Sequence, residues 1–469
     1  MWSMEITHAA MRSAFGAVID GTIKYVNKDR ERNLLKLVDL SEQLLRGTFK
    51  PEVFDGAREL IRDQDGKWMA YVNRALEELH PNIIRMNALN LGFEAGFCGY
   101  RKTRELARQY DCNIPWILLM DPTSACNLHC TGCWAAEYGN RLNLTYEELD
   151  DIICQGKRLG IYFYMLTGGE PLVRKKDLIC LCEKHRDCAF HAFTNGTLID
   201  EEFCKEVVRV GNLTFSISLE GFEEVNDGRR GEGIFDRVMQ AMDLMKSYGL
   251  LYGTSICYTR NNVETVTSDE FLDLIIEKGC RFTWYFHYMP VGNDAAPELM
   301  PTREQREYMY HRVREIRAKE GGKPIYAMDF QNDGEYVRGC IAGGRIYCHI
   351  NPNGDVEPCV FIHYSNANIR EKSLLDCFRQ PIFQAYRRNQ PFNENHLRPC
   401  PMLENPKYLK QMVEETGAVS TDLQSPETVE HLCGKCNQYA QEWEETADRL
   451  WEEKHECGGC SGPCSRQRQ

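Results

Sequence analysis

Three observations predict an α/β fold built on a parallel sheet. Between Ile114 and about Pro290, strand-like apolar runs alternate with amphipathic helical patterns, and repeated βα units of this kind build parallel sheets. The runs are Trp116–Met120, Tyr162–Leu166, Ala189–Phe193, Leu213–Ser218, Tyr252–Tyr258 and Phe282–His287, which gives six strands. Polar groups and cysteines gather where these runs end, and ligands of such sheets sit at the carboxyl ends of the strands.

Ahead of this region, residues 1–112 read as helical. Met11, Phe15, Val18, Ile19 and Ile23 recur at three- and four-residue steps, the pattern of an amphipathic helix. A second apolar stretch runs from Asn82 to Tyr100. It reads as a helical cap on the catalytic core, with a membrane-surface helix or a wall for an apolar substrate as the sharper alternative. Inside the α/β region, Thr145-Tyr146-Glu147-Glu148 is a capping box that opens a helix, and Ile234 to Tyr248 is an amphipathic helix. The expected organisation is a helical region over 1–112, a partial barrel over 113–300 and a small α+β domain over 301–469.

The chain has 469 residues, enough for two or three domains, and 43% of them are hydrophobic. Its formal charge of -13 argues against a general nucleic-acid binder, because phosphate contacts need basic surface. No signal peptide is evident, and no apolar run reaches the roughly 18 residues of a membrane span. The expected setting is therefore cytoplasmic and reducing. There the 22 cysteines point to metal rather than disulfides. Cys154, Cys180, Cys182, Cys188, Cys204, Cys257 and Cys280 fall in apolar patterns and read as small buried hydrophobes.

The chemistry is concentrated in Cys126-Asn127-Leu128-His129-Cys130-Thr131-Gly132-Cys133, directly after the first strand. Three thiols at C-x3-C-x2-C spacing let one loop wrap an iron–sulfur cluster. With no fourth cysteine nearby, one iron is left open, and an open coordination position marks a catalytic metal. A structural zinc knuckle is the other reading. Zinc sites normally come as two C-x2-C-like pairs, whereas the next cysteine here, Cys154, lies in a helical pattern. The run ending at Leu166 is followed by Thr167-Gly168-Gly169-Glu170-Pro171, where glycines permit close backbone approach and a carboxylate suits an ammonium.

Together the cysteine loop and this pentapeptide resemble the radical S-adenosylmethionine (SAM) superfamily. The resemblance implies a partial (β/α)6 barrel in which Cys126, Cys130 and Cys133 hold a catalytic [4Fe–4S] cluster. Its open iron would chelate SAM. The resemblance also implies that Gly168, Gly169, Glu170 and Pro171 contact the methionine end of SAM. In the family an aromatic often precedes the third cysteine near the adenine; here that position is Gly132, and Trp134 follows the cysteine instead. Asn195, Ser218 and Glu220 at the next strand ends, with Arg230 in Asp227-Gly228-Arg229-Arg230-Gly231, fall where relatives reach the SAM ribose and carboxylate. His287 reads equally as a core histidine or a catalytic one.

A second cysteine region follows a polar helix, Arg303 to Lys319. Asn353-Gly354 is a hairpin turn that would return Cys359 beside Cys340. This resembles the start of the SPASM or twitch domains, which hold auxiliary clusters. The second half of the SPASM cysteine pattern is absent, and Cys400 offers a third thiol. One auxiliary [4Fe–4S] cluster is expected on Cys340, Cys359 and Cys400. Cys436 is the expected fourth ligand, with Cys377, Cys348 and Cys433 as alternatives, and zinc or unrelated thiols as the competing reading. Cys457, Cys460 and Cys464 form a glycine-rich tail that reads either as a further metal site or as a free end.

The resemblance implies an oxidoreductase-type enzyme that reductively cleaves SAM to a 5′-deoxyadenosyl radical. That radical would take hydrogen from an unactivated C–H of a peptide, protein or lipid. Flavodoxin or ferredoxin is the expected reductant, and peripheral membrane contact is left open. A non-enzymatic iron–sulfur carrier is the alternative of a different class, in which the Gly-Gly-Glu-Pro segment would be idle.

Overall fold

The computed structural model describes residues 2–25, 29–44, 50–135, 139 and 141–456. Nine strands form one sheet, in the order β7-β6-β5-β4-β3-β2-β1-β8-β9. Six of them are the expected ones: β1 (Ile117–Met120), β2 (Phe163–Leu166), β3 (Ala189–Thr194), β4 (Leu213–Ser218), β5 (Tyr252–Tyr258) and β6 (Phe282–His287). β7 (Tyr326–Asp329) and β8 (Tyr347–Ile350) extend the parallel sheet at its two sides, and β9 (Val356–Glu357) pairs antiparallel with β8. β7 and β8 lie beyond residue 300, where the barrel was expected to end, yet they complete the same sheet.

The sheet's two faces differ. On β6 the burial alternates, with Thr283, Tyr285 and His287 buried and Phe282, Trp284 and Phe286 half-buried. The buried set packs under the flanking helices, while the half-buried set lines an open barrel interior. The Thr145 capping box opens the helix Tyr146–Leu159, and Gly160 ends it in the left-handed conformation.

The N-terminal region is helical. Its first helix, Trp2–Tyr25, lies on a continuous helical stretch that runs from Pro81 to Tyr110 and is π-helical over Ala88–Gly99. Phe15 stacks on Phe93 at 5.5 Å, and Arg12 bonds the buried Glu94 at 2.6 Å. This stretch meets the amino ends of the strands: the Trp116 indole donates to Ala95 O, and Asn90 donates to Cys188 O just before β3. It therefore caps the barrel floor. The alternative of a substrate wall finds no support, because none of the described residues of this N-terminal region lines either cysteine-lined cavity. Helices Arg30–Leu44, Pro51–Arg62 and Lys67–Glu78 enclose a satellite core of Leu34, Ile61 and Met69. Among the described residues, no helix is long and apolar enough to cross a membrane.

Candidate active site

Cys126, Cys130 and Cys133 leave the end of β1 and line one cavity of about 200 Å³. The chain before them is fixed by the loop after β2. Gly169 N donates to Thr123 O at 3.0 Å, and Glu170 N to Ala125 O at 2.8 Å. A Cβ on Gly168, whose φ is +105°, would lie 2.5 Å from Thr123 O. One on Gly169 would lie 2.3 Å from Ala125 O. Both glycines are thus required by contact with the cysteine loop itself, a tighter constraint than the ligand approach expected from sequence.

Glu170 is fully buried at the cavity edge. Its carboxylate accepts from Leu172 N (2.9 Å), the Thr194 hydroxyl (2.7 Å) and Asn195 N (2.7 Å). Burial pushes its pKa up, against these three bonds. Glu170 therefore ties the end of β2 to the end of β3. Pro171 does not line the cavity; it sits at the first position of the 3₁₀ turn Pro171–Arg174, where its missing N–H costs nothing.

The other expected contacts divide in the same way. Ser218 lines the cavity from the end of β4. Asn195 lines it too, while its amide donates to Asn127 Oδ1 of the cysteine loop at 2.9 Å. Glu220 does not reach the cavity and corrects the expectation of a cofactor contact. Its carboxylate is fully buried, accepting from Arg229 (2.6 Å), Arg230 (2.5 Å) and Cys257 N (3.2 Å). In that role it aims Arg230, whose Nη1 lies 3.8 Å from Cys130 Sγ. Arg230 keeps N–H donors to spare for a ligand carboxylate. Arg229 clamps the loop through Thr131, donating from Nε to its carbonyl at 3.1 Å.

Tyr288 occupies the space beside Gly132: with φ at +66°, a Cβ there would lie 2.7 Å from the Tyr288 hydroxyl. The aromatic on this side of the cavity thus comes from the end of β6. Trp134 lines the cavity and meets His349, Phe361 and His363 edge-on at 5.9, 6.3 and 6.1 Å. His287 is a bonded core histidine, with Nδ1 2.7 Å from Tyr288 O and Nε2 2.7 Å from the Tyr439 hydroxyl. Burial holds its pKa well below the usual value.

The second cavity, about 550 Å³, is lined by Cys340, Cys359 and Cys400. The β8–β9 hairpin turns at Gly354 with φ +88° and brings Cys359 back toward Cys340, as expected from Asn353-Gly354. Cys436 is not brought to this cavity. It is buried beside Cys433 on the helix Val429–Glu456, and Cys433 Sγ donates to Pro406 O at 3.3 Å. Cys348 alternates to the far face of β8 from Tyr347, where it neighbours Cys377. The Cys457–Cys464 tail lies outside the described residues. Of the cysteines read as buried hydrophobes, Cys180 is exposed, and Cys257 lines the first cavity.

Both cavities suit thiolate-held clusters. Leu128 N lies 3.4 Å from Cys126 Sγ, and Met402 N and Leu403 N each lie 3.4 Å from Cys400 Sγ. The Tyr347 hydroxyl is 2.7 Å from Cys359 Sγ. Donors aimed at sulfur stabilise thiolates and tune a cluster. Burial pushes the metal-free thiols up, Cys126 to about 11, Cys340 to about 11 and Cys359 to about 12, so positive charge is needed to ionise them. Met289 and Phe361 line both cavities and form their shared wall.

One feature between the cavities has no local sequence signal. His349 is held between Asp121 (3.0 Å) and Glu357 (2.6 Å), all three fully buried. The two carboxylates push the His349 pKa up to about 10 against burial. His363 pairs with Asp422 at 2.6 Å alongside.

Comparison with known proteins agrees with this geometry. A profile of the Radical SAM superfamily matches residues 120–290, and an iron–sulfur cluster-binding domain, SPASM, matches residues 340–402. The mycofactocin maturase MftC of Mycolicibacterium smegmatis is 31% identical over 275 residues, 55% of this chain and 67% of that protein. An AdoMet-dependent heme synthase of Methanosarcina barkeri is 24% identical over 302 residues, covering 59% and 85%. The crystal structure of Streptococcus suis SuiB bound to its precursor peptide SuiA superposes with a TM-score of 0.53 at 20% identity, covering 74% of this chain and 85% of that one. The chain belongs to the radical SAM superfamily. It is an iron–sulfur-dependent enzyme with a SPASM-type auxiliary cluster region, which sets aside the non-enzymatic carrier.

Proposed function

We propose that this enzyme removes hydrogen from an unactivated C–H bond of a peptide or protein. In this reading Cys126, Cys130 and Cys133 hold the catalytic cluster, and Gly168–Glu170, Asn195, Ser218, Arg230 and Trp134 surround SAM. When bound, the reduced cluster and SAM supply a carbon-centred radical strong enough for that abstraction. The chain's own part is orientation and exclusion of water. Glu170 fixes the loop against the cysteines, Glu220 aims Arg230, and Phe193 and Phe286 dry the cavity wall.

The observation that carries the reading is the shared wall. Met289 and Phe361 separate two cysteine-lined cavities inside one open barrel, so a substrate reaching across them would meet both centres. A peptide substrate is supported by the maturase among the relatives and by the precursor peptide bound to SuiB. A polycarboxylate tetrapyrrole, the chemistry named in the heme synthase, would need arginines to receive it. Of those lining the cavities, Arg229 is committed to Glu220 and Arg317 to Asp333 at 2.8 Å, and the spare donors of Arg230 are assigned in this reading to the carboxylate of SAM. The lipid reading loses its motive, because the apolar N-terminal helices cap the far end of the barrel. Reductant from flavodoxin or ferredoxin completes the proposal.

The test is deuterium transfer. Reconstituted, reduced enzyme with SAM and perdeuterated candidate precursor peptides should place deuterium in 5′-deoxyadenosine. Transfer from a tetrapyrrole or lipid, with none from any peptide, would overturn the substrate assignment.

A further inference from the structure

The helices outside the sheet carry a cluster of chemistry-bearing side chains that neither cysteine cavity uses. Asp150 and Cys154 stand one turn apart on the helix Tyr146–Leu159, so they share a face. His185 ends the helix Lys175–Lys184 and is almost fully buried. One ligand atom of each, a carboxylate oxygen, the Cys154 sulfur and a ring nitrogen, lie within 4.8 Å of one another. None of the three lines either cavity.

A neutral imidazole, a thiolate and a carboxylate are the ligands that zinc takes. Ligands about 2.0–2.3 Å from a tetrahedral zinc stand roughly 3.3–3.8 Å apart, so these three need move little to meet one. His185 Nε2 already lies 2.9 Å from Asp150 Oδ1. The His185 backbone is pinned, its N–H donating to Leu181 O at 2.9 Å and its carbonyl accepting from Cys188 N at 3.0 Å. Burial draws the His185 pKa below its usual value, against the bond from Asp150, so the ring is neutral, the form that binds metal. Cys154 is a free, half-buried thiol. The cation now at Asp150 is Lys184, 2.8 Å from Oδ1, and its side chain is 51% exposed. A surface pair of this kind is worth little, and the lysine can turn to water when another cation arrives. A second grouping among the described residues, His8, Glu94 and Cys98, differs on this point. There Arg12 bonds Glu94 and is itself held by Asn90 Oδ1 at 2.7 Å and Arg186 O at 3.3 Å, so a fixed cation already occupies the place.

We propose that Asp150, Cys154 and His185 form a zinc site, with water as the fourth ligand. On binding, the Cys154 thiol gives its proton to solvent and Lys184 leaves Asp150. Zinc carries no redox chemistry, so the ion acts as a clip. It joins two helices that each follow a motif loop: Tyr146–Leu159 leads from the cysteine loop into β2, and Lys175–Lys184 leads from the Gly168–Glu170 turn into β3. The site lies apart from both cysteine cavities and does not depend on which substrate the enzyme uses.

The probe is zinc chloride, added in equal amount to the full-length enzyme carrying its clusters and followed by a weak chelator. The same is done with Cys457, Cys460 and Cys464 replaced by Ser, which removes the tail thiols. Both forms should keep about one zinc per chain, and X-ray absorption at the zinc edge should show one sulfur and three nitrogen or oxygen neighbours. Cys154→Ser and Asp150→Asn should each weaken zinc binding by at least about tenfold with iron content unchanged. Zinc should raise the apparent unfolding temperature of the native chain but not of Cys154→Ser. Failure of the native enzyme to keep zinc overturns the proposal. So do two or more sulfurs around the ion, or equal retention by Cys154→Ser. The absorption spectrum of the native enzyme needs no variant, so a misfolded substitution cannot hide the answer.

Discussion

The two cysteine cavities are built on opposite plans. In the first, three cysteines fall within eight residues of one loop, and the neighbouring strand ends are bonded to that loop. Gly169, Glu170, Asn195, Glu220, Arg229 and Arg230 bond one another or the loop before they meet any ligand, and Gly168 packs against Thr123. In the second, the cysteines are Cys340, Cys359 and Cys400, joined by a hairpin and a long excursion, and the space left over is larger. The groups of the first site are bonded to its cysteine loop, whereas those of the second surround a larger volume. A centre that makes a reactive species needs fixed geometry, and one that receives varied molecules needs room.

The largest expected effect separates the two sites outright. Replacing Cys126, Cys130 and Cys133 by alanine should abolish deoxyadenosine formation under dithionite while about four irons per chain remain. Undiminished cleavage, or near-zero iron, would break the division of labour.

Next comes the rigidity of the first site. Gly169→Ala puts a methyl group against two backbone carbonyls, Ala125 O at 2.3 Å and Ser124 O at 2.5 Å. The strain should cost about 1–3 kcal/mol and displace the cysteine loop, lowering SAM cleavage by at least tenfold. Thermal unfolding and deoxyadenosine assays check both, and a variant with wild-type turnover would show that the loop tolerates movement. Glu170→Ala should follow, leaving buried donors Leu172 N and Asn195 N without their acceptor at about 1–3 kcal/mol each. SAM affinity measured by calorimetry should fall while iron content stays near wild type.

These residues were legible because their cause is local. The C-x3-C-x2-C loop, the glycine pair and all six barrel strands are written in short windows, and β4, β5 and β6 begin and end where the pattern places them. β8 was seen only as a hairpin arm, since its parallel partner β1 lies more than two hundred residues earlier. The Asp121–His349–Glu357 cluster was missed for the same reason, because no window contains both Asp121 and His349. Glu220 was placed in the right neighbourhood with the wrong partner. Sequence shows a carboxylate at a strand end, but only packing shows two arginines already bound to it. Cys436, the expected fourth ligand, packs beside Cys433 and does not line the second cavity, because which way a thiol on the helix Val429–Glu456 faces is decided by tertiary packing.

A smaller effect probes the barrel floor against its mouth. His191 on β3 is buried, with its ring nitrogens bonded to the Thr214 (2.9 Å) and Ser216 (2.8 Å) hydroxyls. Burial lowers its pKa to about 3. The unfolded chain takes up this proton below about pH 6.5, and the folded chain does so only near the lowered value. Stability should therefore be lost as pH falls through that window, by up to about 1.4 kcal/mol per unit. Urea unfolding between pH 7 and 5 should show a flatter slope for His191→Gln than for the native chain. Identical slopes would remove this histidine from the acid response.

The smallest effect lies at the second site. Tyr347→Phe deletes the hydroxyl 2.7 Å from Cys359 Sγ and leaves the cluster ligands in place. Iron content should not change, and the midpoint potential of the auxiliary cluster should move negative, because hydrogen bonds to sulfur favour the reduced state. A potential that stays put would mean the bond does not reach the cluster.

The ladder between β1 and β8 has a consequence for how this architecture could be shuffled. Ile117 to Met120 pair residue by residue with Tyr347 to Ile350. The carboxy-terminal module is therefore no bead on a string: its first strand is a plank of the catalytic sheet. A chimera that exchanges this module between homologues would have to preserve the four-residue register. Deleting one residue in β8 would turn Tyr347 and His349 to the opposite face and Cys348 toward the cavity. Recombination breakpoints that respect the fold should therefore not fall between β7 and β9.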